Sequence, residues 1–270
     1  MLNTTSILLA ASDPLDHVVQ HKIFAIPVGS YELVFTNHML MMIVAAIIML
    51  LVFPRIAARK GIVPTGFRNL FESICVYLRD EMARPILGAK TDSFIPYIWN
   101  IFFFILFMNL LGMIPIDGIL KLVSRGHIHG HFGGTSTGNI WVTAGLAVLS
   151  FVMIHGNGIR EQGVGPYIKN FIPHVPLLLV LPMYVLELVS SLIKPCALAI
   201  RLFANMVAGH TILAAFVALG VASGSVLYGG VAVIASTLFS LLELLVAFVQ
   251  AYIFTFLTVM FMGAAMHPEH

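Results

Sequence analysis

Residues 187–213 read ELVSSLIKPCALAIRLFANMVAGHTIL, and the arginine at the middle of this stretch, Arg201, decides what kind of chain it is. Between residues 170 and 270 the only Asp, Glu, Lys or Arg side chains are Glu187, Lys194, Arg201, Glu243 and Glu269, and all but Glu269 lie in apolar sequence. A charge at bilayer depth costs at least about 2.5–3.5 kcal/mol on insertion scales, so it marks a functional site by default. Arginine is also the cation that does not release its proton at ordinary pH. A side chain that must stay charged inside a membrane suits repelling protons or pairing transiently with a carboxylate.

The rest of the composition agrees with that setting. Of 270 residues, 59% are hydrophobic and 10% charged, where soluble domains carry about 25% charged residues. The chain reads as a polytopic integral membrane protein. Its net charge of +2 argues against a nucleic-acid partner. Cys75 and Cys196 lack metal-ligand spacing and lie in apolar helical stretches, so neither a metal site nor a disulfide is expected of them. The short run Ile7–Ala11 has no basic flank and no Arg- and Ser-rich transit segment is present, so no cleaved leader is expected.

Working outward from Arg201, the pattern predicts an all-α fold in one domain over residues 1–270. Residues 1–32 form a polar N-terminal segment. A first span covers 33–53, which has no Asp, Glu, Lys or Arg and is long enough for about 30 Å of hydrocarbon. Over 65–86, Phe67, Leu70, Phe71, Ile74, Leu78 and Met82 recur at helical spacing. Arg68, Glu72, Arg79, Asp80 and Arg84 fill the other side, which makes an amphipathic helix lying at the membrane interface. Further spans are expected at 93–116 and 139–159, forming a hairpin. Two long helices, 173–219 and 230–265, exceed a perpendicular span and are expected to tilt. Segment 54–92 holds seven basic residues (Arg55, Arg59, Lys60, Arg68, Arg79, Arg84, Lys90), and the 160–169 loop holds Arg160 and Lys169. The positive-inside rule therefore puts both segments inside and the N-terminus outside, with the C-terminus inside.

On one helix, Glu187, Lys194 and Arg201 are spaced by seven and share a stripe about 21 Å long. Asn205 lies one turn past Arg201 on the same side. His210, nine residues on, is half a turn out of phase and faces away. On the last helix Glu243 and Gln250 share a face. A titratable His on one helix and a titratable Glu on the next suit a proton path. Other readings stay open. Glu187 and Lys194 read equally as a static pair, or Lys194 as a side chain snorkelling to the interface. His210 alone reads as a packing residue, and Asn205 and Gln250 as interhelical glue.

The 187–213 stretch closely resembles the central motif of the a-subunit family of F-type ATP synthases, with its (K/Q/S)P turn and RLFANMxAGH. The later LVAFVQAYIFTFLT (245–258), NIFFFILFMNLLGMIPID (100–117) and DPLDHVVQHKIF (13–24) are similar to further segments of that family, so the resemblance runs along essentially the whole chain. It implies a stator ion channel of the Fo motor, with no enzyme activity of its own and no cofactor, packed against a ring of c subunits. The b subunits of the peripheral stalk are implied as partners, with F1 contacted indirectly and lipid around the whole. A bacterial inner membrane is the implied location, with the mitochondrial inner membrane as the alternative. By resemblance Arg201 is the essential rotor-facing cation, Asn205 and Gln250 are polar residues near it, and Glu187 belongs to the half-channel on the cytoplasmic or matrix side. His210 and Glu243 match a pair of the opposite half-channel, in the order that is similar to mitochondrial members. Gly112 and Thr137 stand where some members carry an acid, which leaves Asp117 and Asn139 at the outer entrance; Ser190 and Lys194 are accessory candidates.

His127, His129 and His131 form HIHGH in a Gly-rich loop, a pattern that suits Zn²⁺ or a solvated loop alike, and no resident metal is expected. Three rival readings make different demands on the sequence. Na⁺ in place of H⁺ keeps the same machinery. A secondary transporter would need inverted repeats that the dissimilar halves do not show. A bis-His haem protein would need pairing that His38, His155, His174 and His210 do not offer.

Overall fold

A computed structural model describes residues 20–28, 31–58, 66–114, 116, 120, 133–170 and 177–266. Their order is β1 (Lys22–Val28), β2 (Tyr31–Thr36), α1 (Asn37–Ala58), α2 (Phe67–Val76), α3 (Thr91–Met113), α4 (Ile140–Gln162), α5 (Val164–Asn170), α6 (Leu177–Ala222) and α7 (Val226–Met266). Among the described residues, five helical stretches are long and apolar enough to cross a membrane, so this is a helical, multi-pass membrane protein.

The start of the first span differs from the expected 33–53. Leu33–Thr36 belongs to β2, which pairs antiparallel with β1. Tyr31, Val34, Phe35 and Thr36 are aromatic or β-branched and favour a pleated surface. The helix then begins at Asn37, where Thr36 Oγ1 accepts the Met39 N–H at 3.4 Å and Asn37 Oδ1 accepts the N–H groups of His21 and His38. The absence of charge over 33–53 measures hydrophobicity and cannot tell a strand from a helix entry.

After α2 the chain runs through a π-helical segment, Tyr77–Ala83, into the short turn Arg84–Leu87. Phe67 and Leu70 on α2 are exposed, and Arg68 pairs with Glu72 one turn on. Gly88, with φ +57°, then turns the chain towards α3. α6 continues through Pro182 and Pro195. The break between the last two helices is shorter than the expected 220–229, being confined to Ser223–Ser225 with Gly224 at φ +60°. Gly220, Gly229 and Gly230 are helical. At Gly220 a Cβ would stand 2.6 Å from Ala232 Cβ, so small residues let the hairpin close tightly.

The described residues fall into two compact units, and the division lies within α1, α3, α6 and α7. The first takes in the described parts of Met1–Met49, Phe104–Asn139 and Leu202–Gln250; the second takes in those of Leu50–Phe103, Ile140–Arg201 and Ala251–His270. In the first, Asn109 donates from Nδ2 to the Ala247 carbonyl at 3.3 Å, and Asn37 donates from Nδ2 to Gly133 O at 2.8 Å. The core of the second is aromatic. The Phe103 ring lies 4.8 Å from Phe53 and 5.5 Å from Phe71, and Phe254 is fully buried. Lys90 and Glu161, 2.5 Å apart, join the ends of α3 and α4, and Gln162 donates to Ala265 O at 2.7 Å.

Candidate functional site

In the first unit the polar residues converge on Glu243. Its side chain is 4% exposed, and its Oε1 lies 3.7 Å from His210 Nδ1. Among the described residues neither carboxylate oxygen has a hydrogen-bond partner. The other imidazole nitrogen, His210 Nε2, is 2.6 Å from Thr135 Oγ1, which also donates to the Gly112 carbonyl at 3.3 Å. Two glycines make this convergence fit. A Cβ on Gly209 would stand 2.6 Å from Glu243 Oε1, and one on Gly112 would stand 2.6 Å from Thr135 Cγ2. Gly112, Met113, Gly133, Gly134 and His210 line a cavity of about 70 Å³, room for one or two waters. Beside it, Asn139 Nδ2 lies 3.1 Å from Nδ1 of the buried His38 and donates to Gln20 Oε1 at 3.3 Å, while Ser136 donates to His38 O at 2.9 Å. Thr137 is fully buried.

Further along the same unit, Asn205 Nδ2 donates to Gln250 Oε1 at 2.8 Å. Gln250 is buried, and its Nε2 has no hydrogen-bond partner among the described residues. Such an arrangement leaves amide donors free for a further acceptor.

In the second unit Glu187 and Lys194 make a looser pair. Glu187 Oε1 is 3.7 Å from Lys194 Nζ, and both side chains are about 40% exposed. Lys194 Nζ also stands 5.4 Å over the Phe261 ring. Arg201 closes this stretch of α6. Leu198, Ala199 and Pro195 are buried while Ile200 and Arg201 are exposed, so the guanidinium is on an open face. No ion pair or side-chain hydrogen bond joins it to another described residue.

A family model described as ATP synthase A chain matches residues 39–263. The chain belongs to the ATP synthase A chain family. It is 34% identical to ATP synthase subunit a of Chloroherpeton thalassium, over 91% of this chain and 71% of that one. It is 38% identical to ATP synthase subunit a of Anaeromyxobacter dehalogenans, over 88% of this chain and 59% of that one, and 33% identical to ATP synthase subunit a of Chlorobium phaeobacteroides, over 96% and 72%. The chain thus spans roughly three-fifths to three-quarters of the length of these relatives.

The structure brings together His210 with Glu243, Asn205 with Gln250, and Glu187 with Lys194, pairs that helical spacing alone could only suggest. It places Asn139 against His38. Ser190 is half-buried, whereas its neighbour Ser191 is buried and bonds to His155. Asp117, His127, His129, His131 and His174 lie outside the described residues. The sequence reading missed Thr135 as the partner of His210. The signal available was the small polar run Gly133–Asn139, which precedes α4 with no charge in it. His38 was considered only as a haem ligand; both ring nitrogens of His210 and of His155 are engaged by protein groups.

Proposed function

We propose that this chain is the stator channel subunit of the Fo motor of an H⁺-transporting ATP synthase. As a subunit a it is a non-catalytic membrane component, and its partners belong to the membrane Fo complex. In finer detail the reading assigns it a ring of c subunits against the Arg201 face of α6, b subunits of a peripheral stalk, and F1 reached indirectly. It lies in a bacterial plasma membrane with its N-terminus outside and C-terminus inside.

Two offset half-channels carry protons to and from the rotor carboxylates. Glu243, His210 and Thr135, with Asn139 and His38 nearby, form the path from the outer side. Glu187, with Lys194, Ser190 and Ser191, belongs to the inner side. Between them a rotor carboxylate passes Arg201 while ionised. A cation that holds its charge stabilises that carboxylate and repels a free proton, so the two paths do not short-circuit. The pairing has to break at every step, and an open, incompletely desolvated Arg201 is suited to that. A fully buried ion pair would hold the rotor. Asn205 and the free amide of Gln250 supply uncharged donors to the same passing group.

The observation that carries the reading is Arg201: a cation in apolar sequence, exposed on α6 and without an acidic partner among the described residues. It is tested by ATP-driven acidification of vesicles containing the whole complex. Arg201→Ala should abolish pumping with the subunit still assembled. Arg201→Lys should fail as well, since an ammonium is a smaller charge that loses its proton more readily. Pumping at the unsubstituted rate by either variant would remove Arg201 from the path.

A further inference from the structure

We propose that Ser191, His155 and Tyr167 form a hydrogen-bonded proton relay serving the Glu187 side of the path, a role that rests on the channel reading above. Ser191 Oγ lies 2.7 Å from His155 Nε2, and His155 Nδ1 lies 2.6 Å from Tyr167 Oη. The three groups come from α6, α4 and α5 and make an unbroken chain of two short contacts. Each member is both donor and acceptor, which a relay requires and a simple clamp does not.

The chain is also held in place. Phe151 packs on the His155 ring with centroids 4.2 Å apart, and Gly158 admits Tyr167 so closely that a Cβ there would stand 2.5 Å from Cε2. Ser191 is buried, while Tyr167 and His155 are half-buried. One end of the chain is therefore inside the helix packing and the other is on a short helix beside Lys169. From α6, Lys194 acts on His155 and the Glu187 carboxylate acts on Tyr167. α7 brings Phe261 and no acid, base or imidazole between residues 253 and 266. Burial first, and then Glu187, hold the Tyr167 phenol above its ordinary value.

Transfer runs without redox change. A proton arriving on Ser191 Oγ displaces that hydroxyl's own proton to His155 Nε2. The Nδ1 proton moves to Tyr167 Oη, and the phenol's original proton leaves. Three O–H or N–H bonds form and three break, and tautomer exchange of the imidazole resets the chain. The opposite direction uses the same contacts.

The test is passive proton uptake into vesicles that carry the Fo complex stripped of F1, driven by a potassium diffusion potential. His155→Gln keeps a donor and an acceptor but cannot pass a proton through a ring, and Tyr167→Phe keeps the packed ring. Both should assemble at normal levels and conduct at least about tenfold more slowly, less than the ~10²–10⁴-fold of a positioned proton-transfer group because this is one step of several. Added imidazole should restore part of the flux to His155→Ala and none to Tyr167→Phe. Undiminished flux in either assembled variant would overturn the relay and make the triad a clamp; should His155→Gln not assemble, Tyr167→Phe carries the test. Absence of flux in the unsubstituted complex would instead overturn the channel reading itself.

Discussion

Glu243 and Glu187 are both acids in apolar helices, yet the fold treats them differently. Glu243 is enclosed, with an imidazole at 3.7 Å, a glycine backing its carboxylate and a neighbouring cavity of about 70 Å³. Glu187 is about 40% exposed and leans on a lysine. The enclosed acid carries a full charge only at a desolvation cost, and the imidazole 3.7 Å away is the group placed to offset that charge. The open acid has a lysine amine 3.7 Å away and no enclosing packing. Proton handling should therefore depend on chemistry and close packing at Glu243, and on local charge at Glu187.

The largest effects should come from breaking the enclosed pair. His210→Glu puts two carboxylates together, and Glu243→His puts two imidazoles together; each should abolish ATP-driven acidification. The reciprocal double variant restores one acid and one imidazole in contact and should recover part of the rate. A double no better than the worse single would show that the two residues act independently.

Next is Gly209. A methyl there would meet Glu243 Oε1 at 2.6 Å, and overpacking of this kind costs about 1–3 kcal/mol. Gly209→Ala should lower the amount of assembled subunit and slow transport, while Gly145→Ala, with open space around its Cβ position, should change neither. Quantitative immunoblots with acidification rates on the same membranes check this.

Smaller effects are expected at the open site. Glu187→Gln removes one carboxylate from an open site that does not enclose it, so pumping should fall severalfold and not vanish. Thr135→Val should also slow transport measurably, because His210 Nε2 loses the hydroxyl at 2.6 Å. If Glu187→Gln proved as damaging as Glu243→Gln in acidification assays, the contrast between the two regions would fail.

Five spans were legible because long apolar runs with few charges report bilayer length directly, whereas the short α5 was not. The proximity of Glu187 and Lys194 was legible because a helix converts a spacing of seven into a shared face. What periodicity could not reach is contact between elements remote in sequence. Thr135 meets His210 across 75 residues, and Asn139 meets His38 across 101. Nor could it favour Ser191 over Ser190, since which adjacent serine faces α4 depends on how α6 is rotated. The hairpin at Lys22–Thr36 escaped because apolar sequence entering a span reads the same as strand or helix.

The central claim, that the two regions open to opposite faces of the membrane, is tested most directly by side-specific labelling. With Cys75 and Cys196 replaced by serine, Asn139→Cys and Ser190→Cys are exposed in turn to a membrane-impermeant thiol reagent, in right-side-out and in inverted vesicles. The account predicts that Asn139→Cys reacts only from the outer face and Ser190→Cys only from the inner face. Reaction of both from the same face would contradict it.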